Sequence, residues 1–226
     1  MFNALALAFG QLSDPRIKKL IGLSVGIAFA VFALLMAGGW FLVVWLTNLS
    51  GWWADAAHIL GILAVVTLAW FTFPIVTATT AAFFADQVID AVMAKHYPDR
   101  PLPYRVSIAE MVFDGLKLAA IALVANVLTL PLLFFPPVYA LVAYGVNGYL
   151  LGREYFEMPA FRRLPRAEAK ACFQHYRGRF TLAGVGIAFL ATIPVINLVA
   201  PILGIAFMVH IFESVVNLGA RPARLT

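Results

Sequence analysis

A chain of 226 residues that is 63% hydrophobic and only 12% charged carries far more apolar sequence than a water-soluble core of that length can bury. Its net charge of +5 is confined to short segments between long uncharged runs, which excludes a nucleic-acid-binding module and leaves an all-α integral membrane protein. The single cysteine, Cys172, excludes an intrachain disulfide.

In chain order, residues 1–10 are mildly apolar and lack the basic flank of a signal peptide, so they are expected at the membrane interface with the first span retained. Ser13-Asp14-Pro15 supplies helix-capping side chains followed by a proline suited to the first turn, which predicts a helix starting just before Arg16. Four uncharged runs follow, over residues 20–54, 59–85, 118–152 and 181–209, each longer than the roughly 20 residues that cross a bilayer. The first two read as full spans. The third contains Pro131, Pro136 and Pro137 and the fourth Pro194 and Pro201, so each is expected to be a partly inserted hairpin of two short helices. The helix of the second run is expected to continue through Asp86, Asp90 and Lys95 as an amphipathic extension. Ser107 and Glu110 have capping-box spacing and open the helix that feeds the third run. No segment between the runs is large enough for a soluble domain, and residues 1–226 are expected to form one membrane domain.

Every Lys and Arg falls within residues 16–19, 95–117, 153–179 or 221–224, and none lies in the connection 47–58. That connection should face outward while both termini and the basic segments face the cytoplasm. Residues 153–179 interleave cations with aromatics, which suits helices lying on an anionic membrane surface.

Two constellations carry functional chemistry. Arg16-Ile17-Lys18-Lys19 occupies a helical first turn, where free backbone amides, the positive dipole end and three cations converge as an oxyanion site requires. The competing explanation is that basic residues at a cytoplasmic helix entrance snorkel and set orientation. The second constellation is the pair of broken hairpins, with Asn126, Asn147 and Asn197 inside apolar sequence as pore or hairpin-turn residues. Against that, Asn197 between two prolines suits a cap, and Gly145, Gly148 and Gly152 suit close helix packing.

No Asp, Glu, Lys or Arg lies inside any of the four runs, which favours passive movement over proton-coupled pumping. Asp55, His58, His210 and Glu213 sit at run edges and read as interfacial groups. Glu110, Arg153, Glu154 and Glu157 are candidates for cytoplasmic gating ion pairs. No zinc-protease motif, nucleophile elbow or phosphate loop is present, and the four histidines have no metal-ligand spacing, so neither enzymatic activity nor a metal or cofactor is expected.

Taken together, residues 14–19, the two long spans, the extension over 81–95 and Ile193-Pro194-Val195-Ile196-Asn197-Leu198-Val199-Ala200-Pro201 resemble the CysZ sulfate permeases and the wider etoposide-induced-protein family. The resemblance implies a bacterial inner-membrane protein that admits sulfate for cysteine synthesis, with two long transmembrane helices and two partly inserted hairpins forming a homo-oligomer. It also implies a sulfate site at Arg16, Ile17, Lys18 and Lys19. Lysines stand here where that family favours arginines, and a lysine lacks the planar fork that grips an oxyanion bidentately. The alternative from a different class is a non-transporting membrane organiser, with Arg162, Arg163 and Arg166 docking anionic lipid or a partner protein.

Overall fold

The computed structural model describes residues 1–46, 52–105 and 107–220, and all regular structure among them is helical. The outward connection expected over 47–58 lies partly outside the described residues, as does the basic stretch 221–224. Helix α1 (Phe2–Gln11) is followed by α2 (Pro15–Leu46), which starts at the proline as predicted. Helix α3 (Trp52–Phe83) does not run on into the amphipathic extension; the helix breaks at Phe84 and α4 (Ala85–His96) begins anew. Asp86 lies in the first turn of α4, where a carboxylate complements the positive helix end, and Val88, Ile89, Val92 and Met93 form its buried face.

Helix α5 (Ile108–Thr129) opens on the predicted capping box, with Ser107 Oγ accepting from the Glu110 amide and Glu110 Oε2 accepting from the Ser107 amide. A 3-10 turn over Leu130–Phe134 separates it from α6 (Pro136–Arg163), so the third run breaks at its prolines. Both helices are longer than the apolar run suggested, because each continues into charged sequence. After α7 (Arg166–His175) and α8 (Arg177–Ala191), the fourth run breaks around the short α9 (Pro194–Asn197) and resumes as α10 (Ala200–Ala220).

The chain forms two compact units, Lys18–Phe84 and Met1–Ile17 together with Ala85–Thr226. In the smaller one, α2 and α3 approach through reciprocal glycine holes. A methyl group on Gly39 would lie 2.6 Å from Val65 Cγ2, and one on Gly61 would lie 2.6 Å from Val43 Cγ2. The outer faces carry Leu34, Phe41 and Leu60, each about two-thirds exposed or more, which is surface that a bilayer covers and water does not. Among the described residues two helical stretches, Pro15–Trp45 and Phe113–Phe134, are long and apolar enough to cross a membrane.

The larger unit is built around α10, whose residues 200–213 are all buried. A helix apolar on every side must be enclosed on every side, and α1, α4, α6 and α8 pack around it. Phe156 of α6 joins Phe180 of α8 and Phe212 of α10 at ring-centroid separations of 4.4 and 5.7 Å.

Candidate functional site

The basic turn is built by the residues just before it. Asp14 Oδ1 accepts a 2.9 Å hydrogen bond from the Arg16 amide, so Asp14 caps α2, and its other oxygen lies 3.9 Å from Lys95 Nζ. The Asp14 amide in turn donates to the Gln11 carbonyl at 2.9 Å. Ile17 is 1% exposed and anchors the turn, while Arg16, Lys18 and Lys19 are exposed. Three cations at the positive end of a helix repel one another and the dipole; the Asp14 carboxylate offsets part of that from within the chain. An incoming oxyanion therefore meets a turn whose Arg16 amide already has an acceptor.

The three asparagines of the second constellation lie on three different helices. Asn126 is exposed on α5, and its amide donates to the Ala122 carbonyl of its own helix at 2.8 Å. Asn147 is half-buried on α6 and Asn197 ends α9. The candidate gating groups take different ion-pair partners. Arg153 pairs with Glu157 one turn on at 2.8 Å, whereas Glu110 lies 3.4 Å from Arg166, which also binds Asp114 at 2.7 Å. Among the described residues Glu154 forms no ion pair. The arginines offered to lipid in the organiser reading are engaged internally. Arg162 binds the Asp86 carbonyl at 3.0 Å and Asp90 at 2.7 Å, and Arg163 donates to the Pro101 carbonyl and lies 3.5 Å from Glu213.

The composition of the larger unit's polar centre does not follow from the sequence. His210 and Glu213, expected at an interface, are 2% and 1% exposed. The reason is that α10 is the central helix, so its polar residues are enclosed with its apolar ones. Glu213 accepts from Arg100 and faces Arg163, which brings two guanidinium groups to one carboxylate. Tyr97 Oη and His210 Nδ1 are 2.9 Å apart, and the His96 and His210 rings meet edge to face at 4.9 Å. His96 Nε2 is 3.0 Å from Gln11 Oε1, and Gln11, fully buried, directs its Nε2 to the Ala91 carbonyl. With the Gln11 oxygen turned to it, His96 carries its proton on Nε2. Burial holds the His96 imidazole below its ordinary range, helped by the neighbouring Lys95 charge. Burial and then His96 push His210 down to about 4. The only local signals for this cluster are two polar residues three apart, His210 and Glu213, inside an apolar helix.

Helices with bilayer-length apolar faces, a fully enclosed central helix and charges gathered outside the apolar runs define an all-helical integral membrane protein. The chain belongs to the family described as sulfate transporter CysZ/etoposide-induced protein 2.4, whose family model matches residues 4–201. This is a transport family, and nothing in its description is enzymatic. A comparison with curated proteins finds no match. The matched segment includes the basic turn and the 193–201 hairpin turn, whereas His210 and Glu213 lie beyond it.

Proposed function

We propose that this chain is an inner-membrane anion permease that carries sulfate for sulfur assimilation, acts passively as a homo-oligomer, and captures the anion at Arg16, Lys18 and Lys19. The observation that carries this reading is the proline-started, Asp14-capped basic turn, standing within the segment matched to a sulfate-transporter family. Its exposed cations supply long-range attraction and charge-assisted hydrogen bonds to an oxyanion, and the buried Ile17 keeps them on a fixed turn. Two lysines and one arginine bind as point charges plus a single fork, which favours modest affinity and rapid release over tight retention. Both termini face the cytoplasm in this reading, as the distribution of Lys and Arg supports.

Radiolabelled sulfate uptake into proteoliposomes tests it. Wild-type protein should show saturable uptake above empty liposomes, and Arg16→Ala/Lys18→Ala/Lys19→Ala should lose at least tenfold while remaining folded. Absence of uptake by wild type overturns the sulfate assignment.

Asp14 sets a second expectation. Asp14→Asn keeps an oxygen to cap α2 but removes the negative charge that competes with an incoming anion. At the distances of one helical turn in a partly solvated site that charge is worth about 1 kcal/mol, so sulfate should bind about fivefold more tightly. Equal or weaker binding by Asp14→Asn, measured by titration calorimetry, would place the anion away from this turn.

A further inference from the structure

Of the seven Lys and Arg residues between 153 and 179, five are engaged inside the larger unit. Arg162, Arg163 and Arg166 bind the partners described above, Arg153 is held by Glu157, and Arg179 turns to the Ser214 hydroxyl at 3.1 Å. Lys170 and Arg177 remain. Both are exposed, and the side chain of neither has a hydrogen bond or ion pair among the described residues.

Arg177 is nonetheless fixed in place. Its Cζ lies 5.0 Å from the centroid of the Tyr149 ring, a cation–π contact between α8 and α6. Tyr149 in turn meets the buried Phe173 edge to face at 5.9 Å, and Phe173 stacks on Phe180 at 5.7 Å. The platform under the guanidinium is thus continuous with the aromatic core. Lys170 has no such support and presents a compact charge on a flexible stem.

The place of Arg177 and Tyr149 along their helices sets what they meet. Helix α6 leaves its apolar run at Gly152 and α8 enters the next run at Thr181. These two ends lie side by side, because a Cβ on Gly152 would be 2.4 Å from the Phe180 carbonyl oxygen. Tyr149 stands about one turn inside that edge and Arg177 about one turn outside it. A guanidinium laid on a ring at the edge of the hydrocarbon sits at the depth of lipid phosphates, where tyrosine and arginine both place an apolar body inward and a polar tip outward.

We propose that Arg177, held on Tyr149, binds the phosphate group of an anionic phospholipid, with Lys170 of the neighbouring α7 adding charge at longer range. Contact with the ring occupies a face of the guanidinium and leaves its N–H edge for two oxygens of one phosphate. Arg153, which the Tyr149 hydroxyl also reaches, stays with Glu157 and adds no free charge. The occupant is a lipid rather than a dissolved anion, because the same two helices expose Leu141 and Leu182 on the apolar side of the edge, where acyl chains cover them. This site does not depend on the permease reading. It moves the lipid contact expected at Arg162, Arg163 and Arg166 to residues that the fold leaves unpaired.

Native mass spectrometry of the full chain in detergent, titrated with phosphatidylglycerol or with phosphatidylcholine of the same acyl chains, tests the site. Wild type should hold phosphatidylglycerol at least threefold more tightly than phosphatidylcholine. Arg177→Gln should weaken phosphatidylglycerol about fivefold, the weight of one cation at an anionic surface, and leave phosphatidylcholine unchanged. Lys170→Gln should lose less than Arg177→Gln, and Arg177→Lys, which keeps the charge without the fork, should lose about twofold. Wild-type affinity for phosphatidylglycerol in Arg177→Gln overturns the site, as does a wild type that fails to distinguish the two lipids. Displacement of phosphatidylglycerol by millimolar inorganic phosphate overturns the lipid assignment in favour of a dissolved oxyanion. If Arg177→Gln does not fold, Arg177→Lys decides alone, and undiminished binding by it overturns the site.

Discussion

Replacing Gly184 by alanine should destabilise the larger unit by about 3 kcal/mol or more, because the added methyl group has nowhere to go. Its Cβ would lie 1.9 Å from the Gly148 carbonyl oxygen and 2.4 Å from the Gly152 nitrogen, so the obstruction is main chain on the facing helix, which cannot rotate aside. The fit is reciprocal: a Cβ on Gly152 would lie 2.4 Å from the Phe180 carbonyl oxygen. Helices α6 and α8 touch backbone to backbone here, and any side chain forces them apart. Separation would also pull Phe156 from Phe180, opening the aromatic cluster against α10. Gly145 provides the control. Nothing lies within 4 Å of its would-be Cβ, so Gly145→Ala should change stability by no more than about 1 kcal/mol, in the stabilising direction set by helix propensity. Thermal unfolding in detergent, followed by loss of monodispersity, should separate the two substitutions clearly. Equal melting of Gly184→Ala and Gly145→Ala would refute the close crossing.

The second large effect is expected at Glu213. Glu213→Gln keeps the shape of the side chain and removes the negative charge that Arg100 and Arg163 share. Breaking a fully buried pair costs about 3–5 kcal/mol, but these arginine side chains are 25% and 18% exposed, and solvent screens part of the loss. A destabilisation of about 2–3 kcal/mol is expected. The double substitution Glu213→Gln/Arg163→Gln should recover part of it, since one of the two cations facing the neutralised side chain is then gone. A single substitution that melts with wild type would mean the carboxylate contributes no net stability where it sits. A double variant no better than the single would assign the loss to Arg100 alone.

These two sites differ in how far they can be read from the chain. Close packing by Gly148 and Gly152 follows from their spacing in an apolar run, and the structure bears it out. Gly145, which has the same local pattern, meets nothing, because only the path of α8 decides which glycine lies under it. Arg16 to Lys19 stand on a first turn as their flanking Asp14 and Pro15 require, and Ser107 and Glu110 form the capping box that their spacing predicts. The interfacial expectation for His210 and Glu213 fails, since nothing local distinguishes a polar residue at the edge of an inserted helix from one at the centre of a bundle.

What the amino-acid sequence determined by itself was the helical membrane class, the prolines at which its apolar runs break, and the caps that start its helices. Those features depend on bilayer thickness, on a missing amide hydrogen and on side chains within three residues of one another. Tertiary structure alone decided that Tyr97 meets His210, 113 positions away, that Gln11 meets His96, 85 positions away, and that Arg100 and Arg163 share one carboxylate. Such partners are chosen by which helices enclose α10, and the buried polar groups then pair with whatever donor or acceptor the packing brings within reach, because leaving them unpaired away from water costs more than any local preference.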